Sequence, residues 1–349
     1  MSALLEAVAI DLAERGLVPD GAIRAGIRSF LGAQLARAQR EGAFTPAARA
    51  AFRETIAAAP LAVHTDAANR QHYEVPPAFY VPWLGPRMKY SSALWSAGAA
   101  DLAAAEDAML ALTCERARIA DGQDILELGC GWGSLTLWLA ERYPAARVTA
   151  VTNSAAQAAF IRERAAARGL TPPRVIHADM RDFAVDERFD RVVSVEMFEH
   201  LRNWRELLRR VRGWLADDGL LFAHVFSCRD YAYTYETADR EAWMARHFFT
   251  GGMMPSDDLM ASFDEHMVEE SRWIVDGRDY ARTLEAWLVR LDAARDEATA
   301  VLAAGPGGRR EAARAFRRWR IFLLACAELF AWDEGRVWHV LHTTLKPRA

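Results

Sequence analysis

The sequence predicts an α/β protein built on a doubly wound, mostly parallel sheet, with helices ahead of it and a helical cap inserted before a last strand. Three observations predict it. Short β-branched runs alternate with helical patterns between residues 121 and 230. A glycine-rich turn joins the first of these runs to the first helix. On either side the period changes, and apolar residues recur at three- and four-residue spacing.

Residues 1 to about 60 are rich in Ala, Arg, Leu and Glu and read as amphipathic helices. Residues 65–95 hold four prolines and the aromatics Tyr73, Phe79, Tyr80, Trp83, Tyr90 and Trp95. That is poor helix chemistry but too aromatic for a solvated linker, so an ordered segment packed on something is expected. One more helix spans 101–120. Strands follow at 124–129, 147–152, 174–179, 190–196 and 220–226, with helices at 134–142, 155–169 and 204–215 between them. After Tyr231 the pattern reads helical for about a hundred residues, broken by a turn at 303–310, and RVWHVLHTTLK (336–346) reads as the last strand. The division expected is a cover segment (1–120), a core (121–230), a cap (231–335) and a closing strand (336–349).

The chain has 349 residues, with 43 Lys plus Arg against 47 Asp plus Glu and a net charge of −4. That balance removes the electrostatic case for nucleic acid. The longest apolar stretch, 321–332, contains Glu328 and suits a buried helix better than a membrane span. The first residues carry acids and no basic region, unlike a signal peptide. Four scattered cysteines, Cys114, Cys130, Cys228 and Cys326, fit a reducing cytoplasm. No spacing suggests a metal site.

ELGCGWGS (127–134) follows a strand and opens a helix, and Gly129, Gly131 and Gly133 permit a tight turn with close approach of a ligand. It lacks the Lys and Ser/Thr of a phosphate-binding loop. The second strand ends in Thr152, Asn153 and, shortly after, Gln157, which suit ribose hydroxyls or a methionyl end. The third ends at Asp179 and Met180, suited to an adenine amine and ring face. Polar groups at three successive strand ends fit a ligand lying outside the carboxyl edge of the sheet. The fourth strand runs into Glu196-Met197-Phe198-Glu199-His200. Two carboxylates and an imidazole beside a low-dielectric cleft are costly unless paired or functional. The plain alternative is a helix start with favourable acids and a solvent-facing His.

These motifs resemble a class I, Rossmann-like S-adenosylmethionine-dependent methyltransferase. With KYSSALW (89–95), HYEVP (72–76), SVEMFEHLRNW and HFFTGGMMPSDDL (247–259), the chain is similar to the cyclopropane fatty acid synthase superfamily, and within it to the coclaurine N-methyltransferase branch. The resemblance spans about 65–346. Asn153 departs from it, since most relatives are acidic there. It implies S-adenosylmethionine as methyl donor, S-adenosyl-L-homocysteine as product, and Tyr90, Ser91, Gly129, Gly131, Asn153, Gln157, Asp179 and Met180 at the cofactor. It implies Glu199 and His200 as the pair that binds and deprotonates an amine, His200 having the ordinary pKa for a base. Glu196, Tyr73 and Glu74 match positions at the substrate pocket. Lipid synthases of the superfamily hold bicarbonate, and Glu199, His224 and Tyr280 match three of its four ligands, with Ser92 replacing the Cys. Phe248 and Phe249 are expected to face substrate, while most other cap aromatics are expected to be helix core. The expected function is N-methylation of a small amine, with a fatty-acyl methylase or cyclopropane synthase acting on a lipid double bond as the alternative. A homodimer is the expected assembly.

Overall fold

Ile125 and Leu126 are adjacent in sequence and both fully buried, which requires a strand covered on both faces. The computed structural model describes residues 3–63, 75–235, 243–305 and 307–348 and shows such a sheet. Ahead of it lie α1 (Ala3–Glu14), α2 (Asp20–Arg40), α3 (Pro46–Ala57), the single turn α4 (Pro77–Tyr80) and α5 (Leu102–Arg116). The core alternates β1 (Asp124–Leu128), α6 (Ser134–Arg142), β2 (Arg147–Thr152), α7 (Ala155–Ala167), β3 (Arg174–His177), β4 (Phe189–Val195), α8 (Trp204–Trp214) and β5 (Leu215–Cys228). Then come β6 (Tyr233–Thr234), α9 (Trp243–His247), β7 (Met253–Met254), β8 (Met267–Val275), α10 (Gly277–Ala293), α11 (Arg295–Ala303), α12 (Gly308–Ala331) and β9 (Trp338–Pro347).

The strand order is β3-β2-β1-β4-β5-β9-β8. The first five strands pair in parallel, and β9 and β8 are antiparallel. Alternation sorts neighbours onto opposite layers. Ile125 and Val193 pack with Leu110, Leu135 and Leu139, while Leu126 and Val192 pack with Trp204, Leu207 and Val211. The chain runs outward from β1 through β2 to β3, then returns to β4 on the other side of β1. That reversal opens a crevice at the carboxyl ends of β1 and β4, where the glycine turn and the Glu196–His200 segment begin.

One expectation fails. The stretch after Tyr231 is not helical throughout, because Met267–Val275 forms β8 and joins the main sheet beyond β9. It is an edge strand with one side partly open, so the polar run Glu269 to Arg272 interrupts its apolar residues, and pairing with β9 makes it a strand. Residues 233–234 and 253–254 add a two-stranded ribbon.

The aromatic segment after residue 75 is a wall of the largest core. Trp83 packs edge-on against Trp287 at 5.9 Å and lies 6.1 Å from Trp319. α10 pins the chain that follows. Asp279 accepts hydrogen bonds from the backbone N–H groups of Trp95 and Ser96 at 2.6 and 2.7 Å and from the Ser96 hydroxyl at 2.8 Å. Thr283 accepts from Ala93 N–H and Trp95 Nε1. Glu328, inside the apolar stretch of α12, is paired with Arg24 and Arg28 of α2. Among the described residues no helix is long and apolar enough to cross a membrane.

Asp279→Ala leaves the buried N–H of Trp95 and the part-buried N–H of Ser96 without an acceptor. It is expected to cost about 3 kcal/mol of stability, read as a lower urea midpoint at unchanged slope.

Candidate active site

The turn after β1 needs residues that tolerate positive φ, and Gly129, Gly131 and Gly133 have φ of 79°, 51° and 81°. A Cβ on Gly129 would meet the Met197 side chain at 2.5 Å, whereas one on Gly131 would enter open space. The turn therefore leaves a backbone-lined cleft of about 1210 Å³, measured out to its open mouth. Tyr90, Ser91, Gly129, Gly131, Asn153, Gln157, Asp179 and Met180 all line it. The polar ends are ordered by the strands that carry them. Thr152 donates to Gln157 Oε1 at 2.6 Å, and the Asp179 carboxylate accepts from Arg181 N–H at 2.8 Å.

A second cleft, about 690 Å³ and within the range of small-molecule sites, has aromatic walls that include Phe226, Phe249, Trp287 and Phe330. Tyr90, Glu196 and His200 line both clefts and form their junction.

Glu196 follows β4 with φ of 48°, a left-handed conformation that costs a non-glycine residue about 1–2 kcal/mol. Its N–H donates to His224 O on β5, which fixes the turn. The side chain then meets three donors. Ser92 N–H and His224 Nε2 reach Oε1 at 3.0 and 3.1 Å, and the Tyr280 hydroxyl reaches Oε2 at 2.6 Å. Burial pushes this carboxyl up, and the Lys89 charge, Tyr280 and Ser92 pull it back down.

The His200 ring stacks parallel to Phe249, with centroids 5.7 Å apart. Burial pushes its pKa down to about 4, opposed by Glu196, so the imidazole is neutral at pH 7.

Several expectations need correction. Glu199 lines neither cleft. It is fully buried toward β5, where Oε1 accepts Phe226 N–H at 2.7 Å, and burial followed by the charge of Glu196 pushes its carboxyl well up. The four residues matched to the bicarbonate ligands do not converge. Ser92, His224 and Tyr280 meet on Glu196 rather than on Glu199, and Ser92 contributes its backbone N–H while its hydroxyl donates to Ala93 O. Phe248 does not face the second cleft. It stacks on Phe322 at 4.3 Å in the core, because consecutive residues at the end of a short helix point in different directions. Tyr73 and Glu74 lie outside the described residues.

The structure also adds residues. Glu127, buried in the first cleft beneath a Thr136 hydrogen bond, has its pKa raised to about 8 by burial. Trp132 lines the same cleft. Lys89 is buried there, donates to Ser91 Oγ and Ser92 O, and is pushed down to about 8 by burial against the attraction of Glu196 and Glu106. One signal was available for Lys89: only it and Lys346 are lysines, all other basic side chains counted among the 43 being Arg. Among the described residues no cluster of His, Cys, Asp and Glu suits a metal ion.

Because the folded His200 pKa lies below the ordinary value of 6.5, the unfolded chain binds the extra proton between about pH 6.5 and 4. The contribution of this group to stability is present above pH 6.5 and lost as pH falls toward 4, by about 3 kcal/mol at most. His200→Asn is therefore expected to flatten the acid side of the stability profile relative to wild type, read by urea titration at several pH values.

The mycolic acid cyclopropane synthetase family profile matches residues 63–340. (S)-coclaurine N-methyltransferase of Thalictrum flavum subsp. glaucum is 35% identical over 339 residues, 96% of this chain and 94% of the relative. Cyclopropane-fatty-acyl-phospholipid synthase of Escherichia coli (strain K12) is 31% identical over 277 residues, 78% of this chain and 66% of that one. The crystal structure of coclaurine N-methyltransferase bound to N-methylheliamine and SAH superposes with a TM-score of 0.92 at 33% identity, covering 99% of this chain and 100% of the other. The chain belongs to the mycolic acid cyclopropane synthetase family and, within it, to the branch of the coclaurine N-methyltransferases.

Proposed function

We propose that this S-adenosylmethionine-dependent methyltransferase N-methylates a small, ring-bearing amine. The observation that carries the reading is the junction: the backbone-lined cleft and the aromatic cleft share Tyr90, Glu196 and His200. The first cleft fits the cofactor, because Gly131 leaves open space where a side chain would stand. Gly129, Gly131, Asn153, Gln157, Asp179 and Met180, with Tyr90 and Ser91, would hold it. Bound there, S-adenosylmethionine supplies a sulfonium methyl group and leaves as S-adenosyl-L-homocysteine.

The chain's own residues do the rest. A carboxylate offers about four lone-pair sites, and three of those on Glu196 are taken by Ser92, His224 and Tyr280. The remaining site, on Oε2, receives the amine N–H and steadies its positive charge. Glu196 takes one proton from the ammonium, since burial has raised the proton affinity of that carboxyl, and this frees the nitrogen lone pair. Neutral His200 accepts the remaining N–H and turns that lone pair toward the methyl group; the nitrogen then gains the methyl group and leaves as the methylated ammonium. Alignment of donor and acceptor supplies much of the acceleration. The aromatic walls suit a methylated ammonium through cation–π attraction. Glu199 supports this arrangement from behind by holding β5.

A lipid double bond as acceptor is the weaker reading. The lipid synthase relative matches less of the chain, and the Glu196 carboxylate takes the donors that an added anion would need. Two finer expectations stay with this proposal: a homodimer, tested by light scattering, and cytoplasmic residence, supported by four cysteines that are all free.

Incubation with methyl-labelled S-adenosylmethionine, an amine panel that includes 1,2,3,4-tetrahydroisoquinoline, and unsaturated phospholipid vesicles tests the reading. Label is expected in an amine and not in lipid, with no stimulation by bicarbonate; label only in lipid overturns it. Glu196→Gln is expected to lower kcat/KM for the amine by about 100-fold while leaving the cofactor Kd nearly unchanged. His200→Ala with activity within about twofold of wild type would remove His200 from the mechanism. Gly129→Ala, which forces a left-handed alanine onto Met197, is expected to weaken cofactor binding about tenfold in calorimetry.

A further inference from the structure

The donor that His224 aims at Glu196 has a history that runs across the sheet. His224 on β5 and His342 on β9 are direct register partners, and both side chains are fully buried. His342 Nε2 lies 2.9 Å from His224 Nδ1. His342 Nδ1 in turn lies 2.8 Å from Nη1 of Arg116, the last residue of α5. The Arg116 guanidinium rests 4.9 Å over the ring of Trp273, which is the β8 partner of His342. Among the described residues no carboxylate lies within ion-pair distance of Arg116, so this half-buried cation is spent on a neutral ring.

Arginine has donors only, and that decides the direction of every bond in the chain. His342 Nδ1 must accept, so its proton sits on Nε2. His224 Nδ1 must then accept, so its proton also sits on Nε2 and points at Glu196 Oε1. A second proton on either ring would set two N–H groups face to face, so both rings are neutral. We infer that Arg116 is a positioning residue, which through the Arg116–His342–His224 chain fixes both imidazoles as Nε2–H tautomers and keeps a donor on Glu196.

The inference rests on the role proposed for Glu196 and extends it. Without Arg116, His342 is able to carry its proton on Nδ1. Its Nε2 then accepts a hydrogen bond from His224 in the Nδ1–H form, and His224 Nε2 presents a bare lone pair to the carboxylate. Acceptor would face acceptor, and the carboxylate would swing out of the direction in which Oε2 meets the amine.

Two-bond 15N NMR of histidine-labelled wild-type protein at pH 7 tests the tautomers without reference to activity, with the two rings assigned by their loss in His224→Gln and His342→Gln. Both are expected as neutral Nε2–H forms; an Nδ1–H or doubly protonated ring in either position overturns the inference. In kinetics, Arg116→Met is expected to raise KM for 1,2,3,4-tetrahydroisoquinoline about tenfold with the cofactor Kd within twofold of wild type. Arg116→Lys, which keeps a charged donor, is expected to recover KM to within about threefold. A wild-type KM in Arg116→Met, or equal damage to cofactor binding, overturns it. Glu196→Gln separates the two layers: if it leaves the amine KM and kcat untouched, the reading of the site fails, and the NMR result stands or falls alone.

Discussion

The buried carboxylate of Glu196 is the constraint on which the rest of the site depends. An unpaired carboxylate in a low-dielectric interior is expensive, so its surroundings must supply donors from several directions. They come from three parts of the chain, Ser92 before the sheet, His224 on a central strand and Tyr280 on α10, and the charge of Lys89 beside Ser92 adds to them. Each of these elements is thereby registered to the end of β4. The left-handed backbone at Glu196 adds strain, and the three hydrogen bonds hold the residue there.

This arrangement gives the helices outside the sheet a purpose. α10 does not merely cover the core. Asp279 and Thr283 clamp the backbone around Trp95, and that clamp anchors the loop that brings Tyr90 and Ser91 to the first cleft and the Ser92 N–H to Glu196. The same helix presents Tyr280 and Trp287 to the aromatic cleft. One short loop and one helix therefore tie the two clefts together, with Tyr90 of the loop lining both, a geometry suited to fixed alignment of their contents.

Much of this was legible in the residues. Gly129 and Gly131, the strand ends at Asn153 and Asp179, and Glu196, Met197 and His200 all lie at the crevice, because doubly wound sheets place such ends together. The helices ahead of residue 60 and the described part of the aromatic segment, from residue 75, also form as read. What was not legible has physical causes. β8 is an edge strand made by its partner, not by its own pattern. Glu199 and Glu196 differ by three residues in sequence, yet a left-handed residue and a short 3-10 turn send one carboxylate into the clefts and the other toward β5. Phe248 and Phe249 part in the same way.

By itself the sequence determined the sheet, its glycine turn and the set of groups available for chemistry, since alternation, spacing and glycine placement are local properties of the chain. Only the tertiary structure decided which carboxylate lines the two clefts, and that Arg116, His342 and His224 stand behind it. Residues 116, 224 and 342 have no sequence relation to one another. They meet because β5 and β9 pair in register and α5 packs across them, and hydrogen-bond direction is settled by such meetings rather than by order along the chain.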